Sequence, residues 1–180
     1  ELICPGHGPI LDEDPWKIVN ISKEWSNEIN PNTNKTVIIP YVSAYGYTKE
    51  LAEHISKGIT DLKIDCKLYD LVYSDASEVL NEIYWADGIL FGSPTILGEA
   101  LKPIWDILTS MVTGLHGRKY ASAFGSYGWS GEAVPNIMSR LKQLRMKIND
   151  DGLKVRFKAS EEQLKDAYQF GKSFGENLLK

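Results

Sequence analysis

Thr36-Val37-Ile38-Ile39-Pro40-Tyr41-Val42-Ser43-Ala44-Tyr45-Gly46-Tyr47-Thr48 decides the fold. Val37 to Val42 is a continuous apolar run of strand length, far too short for a membrane span. The polar stretch after it leads into residues 48–62, where Leu51, Ala52, Ile55, Ile59 and Leu62 recur on one helical face. Working outward, the same unit returns. Ile64 to Leu71 alternates like a strand and Asp75 to Trp85 is helical. Ile89-Leu90-Phe91 is a fully apolar strand, and Leu101, Ile104, Trp105, Leu108 and Val112 mark another helix. Tyr120 to Phe124 is a strand rich in small residues, followed by a helix carrying Ala133, Ile137, Leu141 and Leu144. Leu153 to Phe157 is the last strand, and the final helix aligns Leu164, Ala167, Tyr168, Gly171, Phe174, Gly175 and Leu178. Apolar strands alternating with amphipathic helices mean a parallel sheet covered on both faces, an α/β protein. Right-handed crossovers make an open doubly wound sheet the natural topology for five units, since a barrel needs eight units and roughly 250 residues.

The 180 residues exceed one typical domain of ~150 residues by about a fifth. The surplus lies at the front. Cys4-Pro5-Gly6-His7-Gly8-Pro9 reads as a tight loop, and Asp12-Glu13-Asp14 with Pro15 reads as a helix start with acids at its positive end. Ile18, Ile21, Trp25 and Ile29 form one apolar stripe, and a polar, proline-broken linker follows at 31–35. Opening on Glu1 rather than Met fits a processed chain or, as the preferred reading, a piece excised from a longer protein. Hydrophobic residues at 43% and charged residues at 24% are ordinary for a globular chain and exclude disorder, collagen and coiled coil. A net charge of −4 argues against nucleic-acid binding through phosphate neutralisation. No span, signal peptide or membrane association is read, and two distant cysteines fit a reducing compartment, so a cytoplasmic location is expected.

In an open parallel sheet, ligands bind outside the carboxyl ends of the strands, near the switch in strand order. The loop Ser43-Ala44-Tyr45-Gly46-Tyr47-Thr48 offers hydroxyls, a glycine and a helix N-terminus, with no cation until Lys49. Such a cradle suits a phosphate monoester that stays bound, or its hydroxyls merely cap the helix. Gly92-Ser93-Pro94-Thr95-Ile96-Leu97-Gly98 can present backbone groups and an apolar wall to a flat ring, or serve as a plain strand-to-helix connection. Phe124-Gly125-Ser126-Tyr127-Gly128-Trp129-Ser130-Gly131-Glu132 brings aromatics to the same sheet edge, poorly placed for the core and well placed for a planar ligand. Its alternative is a glycine-rich turn with a surface-packed Trp. Together the three loops favour a bound mononucleotide.

The first loop resembles the flavodoxin phosphate loop, with Tyr45 where many flavodoxins have threonine. The other two resemble more narrowly the flavodoxin module of flavodiiron proteins, or A-type flavoproteins. Cys4-Pro5-Gly6-His7-Gly8-Pro9-Ile10 and the Trp16–Trp25 helix look like the end of the metallo-β-lactamase-like domain that precedes that module. The resemblance implies a tail over 1–30 and a flavodoxin-like domain over 36–180, a three-layer sandwich with strand order 2-1-3-4-5. It implies FMN as cofactor, with the phosphate held by Ser43, Tyr45, Gly46, Tyr47 and Thr48. Ser93, Pro94, Thr95, Ile96, Leu97 and Gly98 would flank the isoalloxazine on one side, and Ser126, Tyr127, Gly128, Trp129 and Gly131 would close the other. His7 matches an iron ligand whose partners are absent here, so no metal is expected. The implied whole protein is an oxygen or nitric oxide reductase fed by rubredoxin or a similar donor, a head-to-tail homodimer in which the flavin of one subunit faces the di-iron site of the other. The alternatives are a stand-alone flavodoxin carrier and a flavodoxin-like NAD(P)H:quinone oxidoreductase. A receiver-like signalling module would need clustered aspartates at the strand ends, where this chain has Ser, Pro and Tyr.

Other patterns lead nowhere. Gly171-Lys172-Ser173 matches the end of a P-loop, but Asp166 stands where the first glycine belongs and the pattern there is helical. No dinucleotide fingerprint occurs. Asn20-Ile21-Ser22 and Asn34-Lys35-Thr36 are chance sequons in a chain with no mark of secretion. His54, on a helix, and His116, in a loop, have no metal-ligand spacing, and Cys66 reads as a buried apolar residue.

Overall fold

The structure, a computed structural model, describes residues 2–27 and 29–180. Glu1 and Glu28, part of the tail expected over 1–30, lie outside the described residues. Residues 1–31 and 32–180 form two compact units.

In the first unit, Ile3 and Leu11 exchange backbone hydrogen bonds of 3.0 and 2.9 Å, closing the Cys4–Ile10 loop. Helix α1 runs Pro15–Ser26, with proline at its first position and Asp14 as a left-handed cap (φ 47°) that makes no side-chain bond. The acids therefore precede the first turn rather than occupying it. The stripe expected on this helix is open to solvent at Ile18 and Trp25, and Ile29 beyond it is exposed as well.

The second unit alternates strand and helix. It comprises β1 (Thr36–Tyr41), α2 (Tyr47–Thr60), β2 (Asp65–Asp70), α3 (Ala76–Trp85), β3 (Gly88–Gly92) and α4 (Lys102–Ser110). It continues through α5 (Thr113–His116), β4 (Tyr120–Tyr127), α6 (Ala133–Gln143), β5 (Leu153–Arg156) and α7 (Glu161–Leu179). All strand pairs are parallel, and the sheet order is β2-β1-β3-β4-β5, as the resemblance implies. The polar 32–35 stretch is stitched down rather than free. Asn34 Nδ2 donates to Asp65 Oδ2 at 3.2 Å, and Lys35 Nζ pairs with Asp87 Oδ1 at 2.7 Å.

Alternation along β1 builds two cores. Val37, Ile39 and Tyr41 pack with Leu51, Ile55 and Ile59 of α2 and with Phe174 and Leu178 of α7. Ile38 packs instead with Val79 and Ile83 of α3, Ile104 and Leu108 of α4, and Ile137 and Leu141 of α6. Pro40 sits in this central strand without an N–H to give. The β1–β3 ladder pairs at Val37, Ile38 and Tyr41 and passes Pro40 over. Caps set the helix starts. Asp75 accepts from the N–H groups of Ser77 and Glu78, which is worth about 1 kcal/mol, and Ser160 with Gln163 forms a capping box at α7.

Three expectations shift. Gly125, Ser126 and Tyr127 are strand, not loop, because β5 pairs beside them (Gly125↔Lys154, Ser126↔Val155, Tyr127↔Arg156) and carries β4 onward. β5 ends at Arg156, with Phe157 in a left-handed conformation. His116 lies in the short α5 rather than in a loop. It is buried, its Nδ1 accepts the Val112 N–H at 3.0 Å, and burial pushes its pKa below the usual imidazole value. It is a core histidine. Gly171-Lys172-Ser173 falls inside α7, away from any strand end.

α2 and α7 cross closely because of Gly58 and Gly171. A Cβ on Gly171 would lie 2.1 Å from the Ile55 carbonyl oxygen. We therefore expect Gly171→Ala to destabilise the chain by about 1–3 kcal/mol through overpacking, read by urea denaturation. The two cysteines also separate. Cys4 is exposed, whereas burial pushes the partly covered Cys66 thiol up to about 11. A chromogenic disulfide reagent at pH 8 should titrate Cys4 first and reach Cys66 more than about tenfold more slowly until the chain unfolds.

Candidate functional site

β1 and β3 are neighbours, but the chain leaves them toward opposite faces of the sheet, which opens a crevice at their carboxyl ends. A cavity of about 360 Å³ lies at this edge. Tyr45 and Tyr47 line it from the loop after β1, and Pro94, Thr95, Ile96 and Leu97 from the loop after β3. Ser126, Tyr127, Gly128 and Trp129 line it from the end of β4, and Phe157 from the end of β5.

The remaining expected residues stand behind this lining. Thr48 is buried, and its Oγ1 meets Ser126 Oγ at 3.0 Å, tying the start of α2 to β4. Ser43 Oγ accepts the Lys49 N–H at 3.1 Å and so caps α2 from outside. Gly46 immediately precedes the helix with φ 84°, a conformation that glycine alone adopts without strain. A Cβ there would meet nothing within 4 Å, so the space in front of the helix is open. No side chain caps the first-turn N–H groups of Tyr47 and Thr48, which face outward as a helix N-terminus does.

Ser93 is fully buried and turns away from the cavity. Its Oγ donates to the Pro94 carbonyl at 2.9 Å and accepts the Leu101 N–H at 3.0 Å, closing the 93–101 loop on itself. Thr95 fastens that loop to its neighbours. Its N–H donates to the Ser126 carbonyl at 2.9 Å, and its Oγ1 accepts the Ala133 N–H at 3.2 Å. Ile96 and Glu99 exchange bonds of 3.0 and 3.1 Å around Leu97 (φ 53°) and Gly98 (φ 76°). Positive φ at both central residues makes a two-residue hairpin turn, which lifts Leu97 fully into solvent at the cavity mouth. The Glu99 carboxylate takes the Asn136 amide at 3.0 and 3.1 Å and pins the loop to α6.

On the opposite wall, Lys154 Nζ stands 5.8 Å from the Tyr127 ring centroid, and Gly131 lies against that ring. The Ser130 hydroxyl donates to Glu132, which with nearby backbone N–H groups and Lys154 holds that carboxyl below the usual glutamate value. Trp129 and Tyr45 are exposed at the rim. The Tyr45 and Tyr47 rings are 6.3 Å apart and tilted by 38°. The lining is apolar and aromatic with hydroxyls at its floor, as a site for a flat, partly polar ligand requires.

Phe157 is the residue that sequence reasoning missed. The criterion that picked out Trp129, an aromatic at a strand's carboxyl end, applies to it equally. His7 lies exposed in the first unit. Among the described residues, no three His, Cys, Asp or Glu side chains gather to hold a metal, and no helix is long and apolar enough to cross a membrane.

Residues 39–171 match the flavodoxin family model. The chain is 38% identical to the flavo-diiron protein FprA2 of Clostridium acetobutylicum over 182 residues, which cover 99% of this chain and 45% of that one. It is similar to the rubredoxin oxygen:oxidoreductase of Desulfovibrio gigas, with a TM-score of 0.78 and 25% identity over 99% of this chain and 44% of that one. An archaeal flavodoxin aligns with a TM-score of 0.73 and 28% identity over 81% of this chain and 99% of its own. The chain thus spans less than half the length of these curated relatives that it matches. With its doubly wound sheet, its strand-end cavity and this match, the chain belongs to the flavodoxin family, which implies FMN as its cofactor.

Proposed function

We propose that this chain is the FMN-binding electron-transfer module of a flavodiiron oxygen or nitric oxide reductase, taking electrons from rubredoxin or a similar donor and passing them to a di-iron site outside the chain. The observation that carries the flavin half is the convergence of three strand-end loops on one apolar cavity beside a helix N-terminus whose Tyr47 and Thr48 amides no side chain caps.

The residues fit FMN. The Tyr47 and Thr48 amides, with the dipole of α2 behind them, suit a phosphate, and the open space at Gly46 admits it. Ser43 and Thr48 stiffen that cradle through their bonds to Lys49 and Ser126. Pro94, Ile96 and Leu97 on one side, and Tyr127 and Trp129 on the other, suit the two flanks of an isoalloxazine. When bound, FMN supplies one- and two-electron transfer, while the chain orients the ring and excludes water.

The larger assignment draws support from length. The flavo-diiron relative aligns over 99% of this chain, whereas the archaeal flavodoxin leaves about a fifth unmatched. We read 1–30 as the end of an upstream metallo-β-lactamase-like domain, with His7 at an iron-ligand position, 31–35 as linker and 36–180 as the flavin domain. A cytoplasmic head-to-tail homodimer would bring the flavin of one subunit to the iron of the other. The full-length match of the archaeal flavodoxin favours the second reading, a free electron carrier.

Titrating the apo chain with FMN should quench flavin fluorescence at one equivalent, and a chain with no flavin spectrum after reconstitution contradicts the proposal. Free FMN at about 100 times Kd should stabilise the fold by about 2.7 kcal/mol in thermal unfolding. Gly46→Val, which puts a β-branched residue at φ 84°, should weaken FMN at least about tenfold. In stopped flow, reduced rubredoxin should reduce the flavin rapidly and NADH negligibly. The reverse result points to a quinone-reductase type of enzyme.

A further inference from the structure

We infer that Phe157 is an additional wall of the flavin site, held in place by Arg156 as a positioning residue. The inference rests on the FMN reading above. Phe157 follows the last residue of β5 with φ 56°, in the left-handed region that a bulky side chain avoids. Its N–H still donates to the Tyr127 carbonyl at 2.8 Å, so the strand ladder is kept while the ring swings back over β4. The ring lines the same cavity as Tyr127 and Trp129 and stays 54% exposed. An aromatic held half-open in a costly backbone conformation gains little from the fold itself. Its exposed face is what a flat ligand would cover.

Two neighbours hold it there. Gly128 leaves room: a Cβ at that position would lie 3.3 Å from Phe157 Cε1 and 3.5 Å from Cζ. Arg156 acts as a clamp. Its Nε donates to the Gly128 carbonyl at 3.0 Å, and its guanidinium carbon lies 5.6 Å from the Phe157 ring centroid. One planar group thus bonds the loop after β4 and stacks on the ring beside it, joining two walls of the cavity. Lysine, a point charge on a flexible stem, cannot do both.

The test compares FMN dissociation constants, visible circular dichroism of the bound flavin and thermal unfolding of the apo protein, all on the full chain. Phe157→Gly accepts φ 56° freely, so apo stability should equal or exceed that of the parent while FMN binds about tenfold more weakly, the scale of one lost aromatic stack. A purely structural role for Phe157 would lower stability instead. Phe157→Tyr should bind within about threefold of the parent, and Phe157→Leu, which keeps bulk without a π-face, should not. Arg156→Lys should lose several-fold in affinity and alter the flavin dichroism although the charge is kept. If Phe157→Gly binds FMN as tightly as the parent, the wall is overturned. If Arg156→Lys leaves affinity and dichroism unchanged, the clamp is overturned. A parent chain that takes up no FMN overturns this inference together with the reading beneath it.

Discussion

Burial of β1 on both faces is the constraint on which the rest depends. All six of its residues are covered, so helices must flank it on both sides of the sheet. β2 pairs on one edge of β1 and β3 on the other, both in parallel, a pairing whose crossovers are right-handed as a rule. The chain leaving β1 therefore departs toward α2, and the chain leaving β3 toward α4 on the opposite face. Two loops diverging from adjacent strand ends must leave a gap between them. The crevice is a product of topology before any side chain is chosen for a ligand.

What the loops add is rigidity. Most of their hydroxyls are committed within the protein: Thr48 with Ser126, Ser43 with the Lys49 N–H, Ser93 with both ends of its own loop, and Thr95 with the Ala133 N–H. Few of these side chains need to reorient for a ligand. The polar groups left facing outward include backbone amides at the start of α2, already fixed by the helix. Preorganisation of this kind lowers the entropy lost on binding, so a site with no cation before Lys49 can still hold an anionic group.

Much of this was legible in the sequence, and the rest was hidden for identifiable reasons. Apolar period fixes element type, so Val37–Val42, Ile89–Phe91 and the α2 stripe could be read directly. Strand order followed from resemblance, because periodicity carries no information on which strands pair. β4 runs past Phe124 into Gly125, Ser126 and Tyr127 because β5 lies alongside, a long-range pairing that glycine and serine do not announce. Ser93 and Thr48 have the right residue type at the right loop, but whether a hydroxyl faces a ligand or its own loop depends on contacts with Leu101 or Ser126. His116 looked like loop because a four-residue helix has too few residues to show a period.

Positive φ sorts turn geometry from site geometry. Among the described residues, six that are not glycine adopt it: Asp14, Lys63, Leu97, Arg118, Arg145 and Phe157. Asp14 precedes α1, and Lys63, Arg118 and Arg145 follow the ends of α2, α5 and α6, where left-handed residues commonly terminate helices. Leu97 is required by its two-residue hairpin turn, closed by the Ile96–Glu99 bonds. Phe157 alone of the six stands at the end of a strand, with no turn or helix cap to account for it. Strain that local geometry explains says nothing about function. Strain that it leaves unexplained, on an aromatic bordering a cavity and clamped by an arginine, ties the conformation to what the cavity holds.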